Sequence, residues 1–295
     1  LIVIIYSFII NKPKINFSFK KDFKEIFKYS FLILLSGAAS SIILDIDKSM
    51  LSSILTIENV AYYSVAIFIA AVIEIPGRAM FQILSPIVAE VINKNNKKKL
   101  KYLLKKSSTN LVLISSLFFL IINLNLNDFY EMLNQEGYSK GIPIVIIVSF
   151  AKLYSMSIGC VNSIITNSKY YYFIFWFSII SSVLAVVLNL YLIQDYGIIG
   201  AAYATFLVIL IMNSLKLYLV KIKFKIHPYS YDTIKIAILT TFIYVIFLNL
   251  KLTFEPVISI AVKSTLILIL YTLAAYIFKL SNDVNIFFDK FNKNW

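Results

Sequence analysis

From Ile198 to Leu219 the chain passes 22 positions with one charge, Lys216. An amphipathic helix of a soluble domain carries its apolar residues as a stripe and leaves the opposite face polar; this run has no such division. It is long enough instead to cross a hydrocarbon core of about 30 Å, which takes about 20 residues at ~1.5 Å each. Seven more apolar runs follow the same logic, at about 29–57, 60–92, 110–126, 142–165, 170–193, 233–250 and 257–278. With 60% hydrophobic residues and a mean hydropathy of +0.82, the chain exceeds the roughly half-apolar usage of soluble domains. The expected fold is all-α, a polytopic membrane helical bundle of about eight transmembrane helices plus a partial N-terminal one. That partial helix is residues 1–10, apolar but too short to span and followed by no small-residue cleavage site, hence the end of a truncated span rather than a signal peptide.

The formal net charge of +13 acquires meaning from where the charges fall. Six lysines lie in 11–28, seven in 94–106, one at Lys169, five in 216–235 and three in 279–293. These are alternate connections; the opposite set holds only Lys140 and Lys251, beside an acidic loop with Asp128, Glu131 and Glu136. Basic connections stay cytoplasmic, so the bias predicts a multi-pass protein with a cytoplasmic C-terminus. It also argues against nucleic acid as a partner, because the cations are scattered through short loops instead of gathered on one phosphate-binding face. Within 11–28, Phe19, Phe23, Ile26 and Phe27 repeat at helical spacing among the lysines, the pattern of a helix lying on lipid. The segment is expected to be a cytoplasmic amphipathic linker, and 280–295 a cytoplasmic tail.

There is one cysteine, Cys160, inside an apolar run, and one histidine, His227, beside Pro228 in a basic loop. These exclude a disulfide framework, a thiolate zinc site and a multi-histidine metal site within the chain, so neither metal nor cofactor is expected. A membrane-embedded glycosyl- or acyltransferase would need an acid or histidine near an interface and a sizeable catalytic loop. The only histidine sits on a lysine-rich connection and no long loop exists, so the chain does not read as an enzyme.

Charges inside the spans are the candidate functional residues, since a charge at mid-bilayer costs at least about 2.5–3.5 kcal/mol and is usually turned to a partner or a wet cavity. Asp45, Asp47 and Lys48 interrupt the first span, Glu74 and Arg78 the second, Lys152 the fourth and Lys263 the eighth. Asp45 and Asp47 are about 200° apart on a helix and cannot serve one site; Lys48 shares the face of Asp45. Glu74 and Arg78, at i and i+4, are placed either to neutralise each other along one helix or to flank a break at Pro76. Lys152 has no acid within four residues and lies too deep to snorkel, which makes it the leading candidate for a cavity-lining cation. The cavity candidates are thus Lys48, Arg78, Lys152, Asp45 and Glu74.

Several motifs, in order, resemble a known family. Asp45-Ile46-Asp47-Lys48-Ser49-Met50-Leu51 is followed by Ala61-Tyr62-Tyr63-Ser64-Val65-Ala66, then by Leu84-Ser85-Pro86 and Gly137-Tyr138-Ser139. The most specific run opens Leu188-Asn189-Leu190-Tyr191-Leu192-Ile193, turns at Gln194-Asp195-Tyr196-Gly197 and continues Ile198-Ile199-Gly200-Ala201-Ala202-Tyr203-Ala204-Thr205. It is similar to polysaccharide exporters, the Wzx-like O-antigen and capsule flippases of the multidrug/oligosaccharidyl-lipid/polysaccharide superfamily, except that Gln194 stands where they have proline.

The resemblance covers about 29–220 and implies the six-helix C-terminal lobe of a two-lobe transporter, with 221–279 adding two helices and a missing N-terminal lobe as partner. It implies a bacterial cytoplasmic (inner) membrane location. The implied activity is moving undecaprenyl-pyrophosphate-linked oligosaccharide across that membrane by alternating access, for surface polysaccharide synthesis. Polyprenyl-linked oligosaccharide and membrane lipid are then the expected partners, with Lys48 at the family's basic position in the lobe's first helix. A cation-coupled drug antiporter of the same superfamily is the alternative expectation.

Overall fold

The computed structural model describes residues 23–134, 137–250, 254–281 and 283–286; the side chains of 23–25, 36 and 38–45 are not among those described. Residues 1–10, most of the 11–28 linker and the far part of the 280–295 tail therefore lie outside the described residues. Ten α-helices follow in chain order: α1 Phe23–Ile54, α2 Ile57–Ala71, α3 Ile75–Asn93, α4 Lys97–Leu124, α5 Leu126–Leu133, α6 Ile142–Ser157, α7 Val161–Thr166, α8 Tyr172–Phe224, α9 Tyr231–Leu248 and α10 Pro256–Ile277. No strand occurs among the described residues. The chain is an all-α, multi-pass membrane bundle: among the described residues, six helical stretches are long and apolar enough to cross.

The expected spans map onto these helices, with two of them broken. The second span is α2 and α3 joined by a 3-10 turn, Val72–Glu74, with Pro76 in the first turn of α3. Proline has no N–H to give the carbonyl four residues back, so the break must find other donors. The Val72 carbonyl takes the Ile75 N–H, and Ser115 on α4 donates its hydroxyl to the Ile73 carbonyl at 3.1 Å. The fourth span is α6 and α7, broken around Gly159, whose φ is +61°. Here Ser108 donates to the Ser157 carbonyl at 2.5 Å, and the Cys160 N–H donates to Ser107 Oγ at 3.0 Å. A Cβ on Gly159 would stand 2.8 Å from the Ser108 nitrogen, so only glycine lets α4 approach this closely. The serines of α4 thus supply hydrogen bonds at both interruptions, which lipid could not do.

The 53-residue α8 comprises two crossings. Gly197 has φ +59° and ψ −135°, a conformation essentially confined to glycine, and the chain reverses there. Ala185 packs with Val208 and Met212, whereas in a straight helix Ala185 and Met212 would be about 40 Å apart at ~1.5 Å per residue. Close behind the turn, a Cβ on Gly200 would collide with the Leu192 carbonyl, so that glycine is needed for the halves to meet. With the two arms of this hairpin counted separately, the six stretches amount to seven crossings among the described residues, and α1, a helix of 32 residues, stands where the sequence expects the eighth.

The last two spans pack on α4 around Ile236, Ile243, Phe247, Ile267, Tyr271 and Ala275. Tyr271 donates to the Leu113 carbonyl at 2.9 Å. At the lysine-poor end, Lys263 of α10 reaches Asp128 of α5 at 2.8 Å, and Ser259 donates to the same carboxylate oxygen at 2.7 Å. Lys263, which the sequence left without a role, is therefore a docking residue for α10. At the lysine-rich end, Asp283 pairs with Lys106 at 2.8 Å and accepts from the Asn110 amide at 2.7 Å.

Candidate functional site

Two of the five charged candidates from the sequence, Glu74 and Lys152, line one cavity. It has a volume of about 390 Å³ and lies among α1, α2, α6, the α6–α7 junction and both arms of the α8 hairpin, with the break between α2 and α3 on its wall. Asp47, Glu74, Lys152, Asn162, Asn213 and Lys216 are among its lining residues, an unusual collection for the inside of so apolar a chain.

Glu74 and Lys152 pair on its wall. Glu74 ends the 3-10 turn of the second span, where the helix axis is interrupted, and Lys152 lies ten residues beyond Ile142 in α6, about 15 Å along the helix. Their charged atoms are 3.0 Å apart, and the two side chains are 21% and 13% exposed. A charge-assisted hydrogen bond of this kind lets both ions persist in a low-dielectric setting that would reject either alone. The geometry settles the two placements open to Glu74: it flanks the break and does not pair with Arg78, because its partner is on another helix.

Nearer the lysine-poor end, a buried carboxylate organises four elements. Asp47 of α1 accepts from Tyr63 of α2 at 2.8 Å, from Asn189 in the first arm of α8 at 2.6 Å and from Thr205 in the second at 2.6 Å. Asn189 is fully buried, and its Oδ1 has no hydrogen-bond partner. Three donors thus converge on one carboxylate, which lets the acid be held in a buried setting and ties α1, α2 and both arms of α8 together.

The remaining candidates fall elsewhere. Lys48 is half-buried, with its ammonium 5.5 Å from the centre of the Phe68 ring, and does not line the cavity. Arg78 is exposed on the first turn of α3 and also lies off the cavity wall. Asp45 belongs to α1, and its side chain is outside those described. Asp47, Asn162 and Asn213 line the cavity without being among the cavity candidates, and two further polar contributors are likewise outside that set, Asn189 beside the cavity and Lys216 on its wall. Asn189 sits inside the family-like run but drew no attention as a neutral side chain, and Lys216 belongs both to the end of an apolar run and to the basic connection that follows it. The one usable signal was position: both are polar residues within otherwise apolar spans.

No family model, no curated protein and no solved structure matches this chain. What the architecture defines is a class: a multi-pass helical membrane protein with a charged, polar cavity between interrupted helices.

Proposed function

We propose that the chain is the C-terminal lobe of a transporter that moves a polyprenyl-pyrophosphate-linked oligosaccharide across a bacterial cytoplasmic membrane by alternating access. The observation that carries the reading is the Glu74–Lys152 pair on a cavity wall made by a helix break. Discontinuous helices meeting polar groups near the midplane are how transporters bind cargo inside the bilayer. A cavity with lysines among its charges suits an anionic headgroup, and no covalent chemistry is required of it. The resemblance over 29–220 supports the same cargo class and a second lobe facing the cavity. Under this reading the lysine-rich connections and the C-terminus are cytoplasmic.

A second reading, a cation-coupled drug antiporter, draws on the Asp47 cluster and the unpartnered Asn189 oxygen. The two differ in cargo. Proteoliposomes bearing the chain are loaded either with a fluorescent pyrophosphate-linked sugar lipid or with an amphiphilic cationic dye. Flipping of the lipid that falls at least tenfold in Lys152→Met supports the exporter. Dye efflux dependent on Asp47, without lipid flipping, replaces it with the antiporter.

A further inference from the structure

The main cavity does not end at Lys152. Asn162, Ser181, Met212 and Lys216 line it and also line a second volume of about 290 Å³, which continues past Ser178 and Phe177 to Ile174 and Thr166. Thr166 closes α7 beside Lys169, so this chamber lies at the lysine-rich end of the bundle.

The charges of the two volumes differ in one respect. Lys152 is offset by Glu74, while Lys216 has no acidic partner within ion-pair distance among the described residues, and no acidic side chain lines the inner chamber. Lys216 stands eight residues before the end of α8 at Phe224, about 12 Å inside the helix terminus at ~1.5 Å per residue. It is half-buried there, in a chamber it shares with the amide of Asn162 and the hydroxyl of Ser181. A desolvated ammonium with no counter-ion is costly, and an arriving anion removes that cost.

We infer that the chamber around Lys216 is a phosphate-type anion subsite at the lysine-rich mouth of the cavity, with Lys216 as its binding cation. The inference rests on the transporter reading for its role, as the first station of an anionic headgroup on its way to Lys152. It rests on Lys216 and its unbalanced charge for its chemistry. The Asn162 amide N–H groups and the Ser181 hydroxyl, once turned from the Ser178 carbonyl it bonds at 3.2 Å, are the neutral donors for phosphate oxygens, and Phe177 and Ile174 provide an apolar wall.

The test uses the full chain in phosphatidylcholine nanodiscs, which contribute no anionic lipid, with two probes: inorganic pyrophosphate and a short-chain polyprenyl pyrophosphate. Both are expected to bind, with affinity falling as salt rises. Lys216→Met weakens both at least tenfold, Lys216→Arg stays within about threefold because the charge is kept, and exposed Lys221→Met on the same helix leaves binding unchanged. Binding of inorganic pyrophosphate alone, with the same Lys216 dependence, keeps the subsite and removes the lipid-cargo reading. Lys216→Met binding both probes as tightly as the parent overturns the inference, and so does a parent chain that binds neither.

Discussion

Lys152 on α6 and Glu74 at the end of the 3-10 turn bring their charged atoms to 3.0 Å, although 78 positions separate them in the chain. The pair joins the broken second span to the fourth and fixes the cavity wall between them. Removing one partner strands the other charge, at a cost of about 3–5 kcal/mol when burial is complete. With side chains 13% and 21% exposed, a loss near the lower end, about 3 kcal/mol, is expected for Lys152→Met. The double variant Lys152→Met/Glu74→Gln should recover part of that loss, a non-additivity that denaturant titration of the purified protein detects. Equal and additive losses would mean that the two charges do not interact.

Asp47 spends its carboxylate on three donors from three other segments. Asp47→Asn replaces acceptor lone pairs by an N–H pair facing those donors, so a loss of about 1–3 kcal/mol is expected. If the cluster holds a coupling ion, the same variant also abolishes any dependence of transport on sodium or on the proton gradient. Measuring flipping with and without each gradient checks this, and an unchanged gradient dependence removes Asp47 from coupling.

The α8 hairpin depends on two glycines for different reasons. At Gly197 the positive φ and extended negative ψ penalise any side chain by about 1–3 kcal/mol. At Gly200 a Cβ would overlap the Leu192 carbonyl. Gly200→Ala is therefore expected to open the hairpin near its turn. In a Cys160→Ala background, the oxidative cross-link between Ala185→Cys and Val208→Cys should form readily in the parent and slow severalfold when Gly200→Ala is added. An unchanged cross-linking rate would show that the arms do not rely on the close approach.

At the lysine-rich end, burial opposes ionisation of Asp283, but the Lys106 ammonium and the Asn110 amide outweigh it and hold the carboxyl below its usual value. A group depressed in the folded state stabilises above its unfolded pKa of about 3.9 and loses that contribution as pH falls through the folded value. Contact between 283–286 and α4 is thus expected to persist at neutral pH and to loosen only as pH falls below the unfolded value of about 3.9 and through the lower folded one. Amide exchange of that segment at pH 7 and at pH 3.5 measures it, and Asp283→Asn should show the loosened pattern already at pH 7.

Much of this architecture could be read directly. The apolar runs mark the crossing helices, Pro76 marks the break in the second span, and Gln194 to Gly197 marks the hairpin turn. The partners of the buried charges could not be read. A search within four residues finds Arg78 for Glu74 and nothing for Lys152, because the observed bond lies between helices. Asp47 likewise meets Asn189 and Thr205 from 142 and 158 positions away. Lys216 belongs by sequence both to the end of an apolar run and to the basic connection after it, since hydropathy locates the end of a span but not the depth of the cavity beside it. The serines of α4 had a faint signature, with Ser108 and Ser115 seven positions apart on one face, yet nothing local says that they face broken backbone.

The central claim is that a water-accessible polar cavity inside the bundle accepts the headgroup of a lipid-linked sugar. Ser181 lines both volumes, so Ser181→Cys in a Cys160→Ala background reports on it directly. In inside-out vesicles a membrane-impermeant thiol reagent should modify this cysteine, and lipid-linked oligosaccharide should slow the reaction at least fivefold. Failure to modify it from either face of the membrane, or modification at a rate the lipid-linked sugar leaves unchanged, would contradict the account.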